Sequence, residues 1–162
     1  GWFSFEKVDG QGTAEWWADA RRFEWPTFHR PSVAGMARSI GWMSMFAGLD
    51  FVYGRGRASA GRAAARLAGI PGVTVLTPPD RMATLVTFTI AGWPATAALE
   101  ELGKRTFAIA RTIPALDALR ISVGFFTSDD ELERFCAGVE LLASHTPETL
   151  PPRRTLEMLV DS

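Results

Sequence analysis

Two arginines interrupt apolar runs in the second half of the chain. Arg111 ends "FAIAR" and Arg120 lies inside "LRIS". Along "ALDALRISVGFF" (115–126), Leu119, Ile121, Val123 and Phe125 share one face at period two. Arg120, Ser122 and Gly124 share the other. A guanidinium keeps its charge at neutral pH, so beside a core it requires an anion or water. Two chemistries satisfy that need. One is an internal salt bridge, for which Asp117 is the obvious partner. The other is a ligand carboxylate, which a planar guanidinium meets with two parallel hydrogen bonds. Spacing alone leaves both open.

The other reactive residue types carry less. Cys136 falls on an apolar helical stripe and reads as a small core residue rather than a nucleophile. His29 and His145 lie far apart, with no zinc-type spacing. His29, in a proline-flanked loop, reads as a surface histidine ahead of a functional contact. Lys7 and Lys104 are the only lysines, and neither sits where an amine would be activated. "GRGRASAG" imitates a glycine-rich nucleotide loop but follows a helix instead of a strand, so a solvated Arg-rich helix is the better reading.

Bulk properties narrow the class. The 162 residues suit one domain with a real core, 47% apolar and 22% charged. A net charge of −1 supplies no basic field for a phosphate backbone, so nucleic acid is not expected. No apolar run reaches the roughly 20 residues of a membrane span. One cysteine excludes an internal disulfide framework and fits a reducing, cytoplasmic compartment. The chain opens "GWFSFEKVDG" without methionine and with large apolar groups at its free end. It reads as the later part of a longer protein.

The elements that must position the arginines follow from pattern. Residues 1–12 are irregular or a short strand. "TAEWWADARRF" predicts a short helix capped by Thr13, and "EWPTFHRPS" an ordered loop. Ser32 caps a helix to about Tyr53, apolar nearly all round and therefore expected to be buried. An Ala/Arg helix ends near Gly69, and Pro71 and Gly72 suit a type II turn. "VTVLT" and "TLVTFTI" are strands, with Val86, Phe88 and Ile90 on one face of the second. "PATAALEELGKR" is a helix, and "FAIARTI" and "ALRISVGF" are two further strands. "SDDELERFCAGVELLA" is a helix opened by a Ser128/Glu131 capping box, with Leu132, Phe135, Cys136, Val139 and Leu142 as its apolar stripe. A proline break and a short last helix close the chain. The order is α-α-α-β-β-α-β-β-α, a layered α/β domain with a small, mostly antiparallel sheet.

"LRISVGFFTSDDELERF" resembles the C-terminal signature of the class V aminotransferase family, pyridoxal phosphate (PLP) enzymes of fold type I that also include cysteine desulfurases and isopenicillin N epimerases. Arg120, Ser122, Phe126, Ser128, Asp130 and Glu131 match or come close, and Thr127 replaces the usual Asn. "IPGVTVLTP", "TLVTFTI" and "RTFAIAR" resemble the strands of the family's small domain. "RRFEWPTF" resembles its Arg-Phe-Glu-x-Gly-Thr loop, with Thr27 matching the threonine and Pro26 in place of the glycine.

The resemblance implies residues 1–31 as the end of a large domain with a dimer-contact loop, and 32–162 as the C-terminal small domain. It implies a homodimeric, PLP-dependent aminotransferase acting on an amino acid and its keto acid. Arg120, then Arg111, would grip the substrate α-carboxylate, and Thr27 would reach the cofactor phosphate across the dimer interface. The Schiff-base lysine and the Gly-Pro-x-Gly loop of the family are absent from this sequence, so these residues alone would be catalytically silent, joined in the intact enzyme to an N-terminal PLP domain. No cysteine lies between Arg111 and Arg120, which argues against a desulfurase and leaves transamination, epimerisation or elimination. Two rival readings are a non-catalytic binding module and a dimerisation domain.

Overall fold

The computed structural model describes residues 4–23 and 29–153. They divide into two compact units, Gly1–Ala47 and Gly48–Ser162.

In the first unit a polar turn makes a hairpin. The Asp9 carboxylate accepts from the backbone N–H of Gln11 (2.9 Å) and Thr13 (2.8 Å), closing an Asx-type turn. Strand β1 (Phe5–Val8) then pairs antiparallel with β2 (Ala14–Trp16), and the Phe5 and Trp16 rings meet at a tilt with centroids 4.4 Å apart. This corrects the helix expected over "TAEWWADARRF". The Thr13 carbonyl, which would accept the first helical bond, accepts the Asp9 N–H instead (3.0 Å), and only Ala20–Phe23 turns, as a 3-10 helix.

Helix α1 (Arg30–Trp42) begins two residues before the expected cap. Pro31 lies in its first turn, where the missing N–H costs nothing. Ser32 is inside the helix, its hydroxyl 2.7 Å from Nδ1 of His29. The helix does not run on to Tyr53. Met43–Ala47 form a π-helical turn, and Gly48 takes a positive φ of 80° that stops it. Nor is it buried: no residue of α1 or of the π-turn is, and Met45 is 78% exposed. An all-round apolar helix is buried only where the chain supplies something to cover it.

The second unit follows the expected order. Helix α2 (Leu49–Ala68) ends at Gly69. Ile70–Val73 is a turn closed by the Val73 N–H on the Ile70 carbonyl (3.1 Å), with Gly72 at φ +83° as type II requires. Then come β3 (Val73–Val75), β4 (Leu85–Ile90), α3 (Ala95–Thr106), β5 (Arg111–Ile113), β6 (Ala118–Ser122) and α4 (Asp129–Ala143). The sheet order is β3-β4-β6-β5, antiparallel throughout. The third expected strand is shorter than its apolar run. Phe107 is left-handed (φ 55°) after α3, and pairing starts only at Arg111, which opens β5 rather than ending a strand.

One hydrophobic cluster joins the sheet's Val86, Phe88, Leu119 and Ile121, and Val123 just after β6, to Leu67 of α2, Leu102 of α3, and Phe135 and Val139 of α4. The Trp93 indole N–H is shared between the carbonyls of Leu142 and His145, each at 2.8 Å, which ties the start of α3 to the end of α4. The capping box is present: Ser128 Oγ accepts from the Glu131 N–H (3.2 Å), and Glu131 accepts from the Ser128 N–H (2.8 Å). The arginines of α2 are not merely solvated. Arg62 meets Asp129 and Arg66 meets Glu140, each at 2.6 Å, so they bridge α2 to α4.

Candidate functional site

Residue parity puts Arg120 on the sheet face away from the core, and cross-strand register decides its neighbours. It pairs with Thr87 on β4 and with Arg111 on β5. Leu119 and Ile121, on either side, are buried at 1% and 6% exposure. Two guanidinium side chains therefore stand directly opposite each other, an arrangement that costs energy unless an anion lies between or beside them.

The internal partner expected for Arg120 is engaged elsewhere. Asp117, left-handed at φ 43°, accepts the Ala95 N–H at 2.9 Å and so caps α3. Neither Arg111 nor Arg120 has a carboxylate within 4 Å among the described residues. The Nε of Arg120 is buried without any hydrogen-bond partner. A buried unpaired N–H on a charged group is costly to maintain. No described residue supplies an acceptor to it.

A cleft of about 330 Å³ lies beside it. Arg120, Thr87, Ile113 and Leu116 line it, together with Thr77 and Arg81 of the β3–β4 connection. The Thr77 hydroxyl accepts the Thr87 N–H (2.8 Å), which pins that connection to the sheet. Sequence reasoning missed Thr77 and Arg81. They lie in "TPPDRMA", a turn-rich stretch with no periodicity to say which way it faces.

The remaining candidates sort readily. Cys136 is 1% exposed, and burial pushes its thiol up to about 11, so it is a core residue. Lys104 pairs with Glu100 one helical turn away, and Lys7 faces Glu15 across the hairpin. Thr127 closes the turn into α4, accepting the Gly124 N–H at 3.0 Å. Thr27 lies outside the described residues. None of the described helices is long and apolar enough to cross a membrane.

Solved structures share this architecture. A cystine C–S lyase, C-DES, in complex with its product cysteine persulfide is 23% identical with a TM-score of 0.68, over 91% of this chain and 38% of that one. An apo cysteine desulfurase from Thermococcus onnurineus NA1 is 20% identical (TM-score 0.66; 88% and 38%). The cysteine desulfurase CsdA from Escherichia coli is 17% identical (TM-score 0.63; 85% and 36%). The fold is that of the small C-terminal domain of a fold type I PLP enzyme. The chain spans less than two fifths of the length of these structures. No family model matches the sequence, and no curated protein does.

Proposed function

We propose that this chain is the substrate-gripping portion of a PLP-dependent class V enzyme, an aminotransferase acting on an amino acid. Its part is to hold the substrate α-carboxylate with Arg120, supported by Arg111. The observation that carries the reading is the buried, unpartnered Nε of Arg120 beside an open cleft. A carboxylate there would complete the guanidinium fork and relieve the juxtaposition with Arg111. The fold, shared with enzymes whose names and complexes include a PLP-linked glycine and a cysteine persulfide product, supports the same assignment.

Bound PLP would supply an electron sink for the bond broken at the substrate α-carbon. The chain's own contribution is orientation. A bidentate Arg120 contact fixes the carboxylate plane, and so which α-carbon bond is presented to the cofactor. Thr27 would donate its hydroxyl to the cofactor phosphate, across the interface of a homodimer. Neither lysine lines the cleft or is free of a carboxylate, so these residues alone would be catalytically inactive, and the amine would come from an N-terminal domain.

Elimination within the same family is the second reading. It is supported by the likeness to a cystine C–S lyase, and it is compatible with the absence of a thiol between Arg111 and Arg120 and the burial of Cys136. A pure dimerisation domain would pair both arginines internally and show no cleft beside them, unlike the described residues.

Arg120→Lys keeps the charge and loses the fork, so it tests recognition rather than charge. In the intact enzyme it should raise KM for the amino substrate. It should lower kcat/KM about 10- to 100-fold, a loss of ~1.4–3 kcal/mol of transition-state binding. PLP absorbance and thermal stability should hardly move. Loss of the fold, with unaltered kinetics in the surviving protein, would make Arg120 a structural residue.

A further inference from the structure

We infer that the cleft beside Arg120 takes a substrate with a second anionic group, and that Arg81 is the residue that recognises it. This rests on the reading of Arg120 as the α-carboxylate contact. One planar guanidinium satisfies one carboxylate with two hydrogen bonds. On that reading Arg120 is taken up by the α-carboxylate, with Arg111 opposite it. Arg81 lines the same cleft and is then left over.

Its internal pairing is weak. The nearest carboxylate, Asp80, is 3.9 Å away, and both side chains are about four-fifths exposed (83% and 79%). Such a pair is worth little, so the Arg81 head is free to turn to a ligand. The backbone that carries it is nevertheless fixed. Arg81 ends a 3-10 turn closed by its own N–H on the Pro78 carbonyl (3.1 Å). Met82, the next residue, packs against the core.

The rest of the lining agrees. No Asp or Glu among the described residues borders the cleft. Thr77 Oγ1 already accepts the Thr87 N–H, which leaves its own O–H to donate. Leu85, Ile113 and Leu116 supply apolar wall, suited to the methylenes between two charged ends. Its volume of about 330 Å³ lies in the range of small-molecule sites. The class of ligand that fits is an amino acid with an acidic side chain, or a longer one ending in a carboxylate.

The test uses the full-length protein, freed of cofactor, and titration calorimetry with glutarate and butyrate, which differ by one terminal carboxylate. The wild type should bind glutarate about 2- to 5-fold tighter, the effect of one largely exposed ion pair. Arg81→Ala should bring glutarate down to the butyrate value. Arg120→Lys should weaken both ligands together. A wild type without preference for glutarate, or a preference that survives Arg81→Ala, overturns the role of Arg81 while leaving Arg120 in place. Butyrate and glutarate both indifferent to Arg120→Lys would overturn the carboxylate site itself, and the inference with it.

Discussion

Helices α1 and α2 lie on either side of Gly48, and they meet opposite fates. Helix α1 carries Val33, Met36, Ile40 and Trp42, yet buries none of its residues. Helix α2 is built largely from Gly, Ala, Ser and Arg, yet it buries Gly56, Ser59, Ala60, Ala63, Ala64 and Leu67. Apolar content does not decide burial. A stripe of small residues with a surface to approach does. A Cβ on Gly56 would stand 3.0 Å from Thr84 Cγ2, so the helix packs closely there. The large side chains of α1 form the kind of exposed apolar surface that marks an interaction site. Under the proposed function, the N-terminal domain or a second protomer would cover it.

The contrast can be broken most forcefully in the core. Phe88 is fully buried and meets Phe135 edge-on, with centroids 6.2 Å apart. Phe88→Ala should cost about 3–5 kcal/mol, a large part of the stability of a small domain. Met45→Ala, at a side chain 78% exposed, should stay within about 0.5 kcal/mol. Urea unfolding followed by circular dichroism measures both. A Met45→Ala cost that grows with protein concentration would show α1 and its π-turn covered by a second copy in solution.

Two glycines sharpen the comparison, because alanine should have opposite signs at them. On α4, a Cβ at Gly138 would lie 2.4 Å from Thr106 Cγ2 and 3.2 Å from Leu102 Cδ2. Thr106 cannot easily turn away. It is β-branched and buried, and its hydroxyl is held by the Leu102 carbonyl at 2.8 Å. Gly138→Ala should destabilise by about 1–3 kcal/mol. On α1, Gly41 has nothing within 4 Å of its added Cβ, so Gly41→Ala should stabilise the helix by roughly 0.5–1 kcal/mol. Equal effects at the two positions would mean that the helices are equally packed.

Much of the second unit was legible because its signals are local. Val86, Phe88 and Ile90 alternate inward as their period requires, and Gly72 takes the positive φ its turn demands. The first unit was less legible. Its hairpin hangs on one Asp9 side chain, and helix propensity in "AEWWADA" gave the wrong answer there. The exposure of α1 reflects what lies beyond the helix, which no pattern within it records. At the site, period two gave the face on which Arg120 lies. The engagement of Asp117 with Ala95 was invisible, because it joins residues distant in sequence through a left-handed turn. The ion pairs of Arg62 and Arg66 with α4 were invisible for the same reason. Long-range pairing is decided by the fold, after local pattern has had its say.

The smallest effect separates the helix starts. Ser128 accepts from the N3 amide of α4, whereas His29 makes no side-chain cap bond at α1 and its ring meets Ser32 instead. Ser128→Ala should therefore cost about 1 kcal/mol, and Ser32→Ala should fall within about 0.5. The box also has a pH signature. The Ser128 backbone N–H, and then its hydroxyl, hold the Glu131 carboxyl below its ordinary value of 4.5. A folded-state value below the unfolded one adds stability that is fully present above 4.5 and is lost as pH falls through the folded value. Glu131→Gln removes that titration and nothing else nearby. The stability gap between wild type and Glu131→Gln, from urea midpoints at a series of pH values, should be constant near neutrality and close below pH 4.5. Other carboxylates titrate in the same window, but equally in both proteins, so they drop out of the difference. A gap that persists undiminished into acid would mean that the Glu131 contact owes nothing to its charge, and that α4 is held at its start by Ser128 and packing alone.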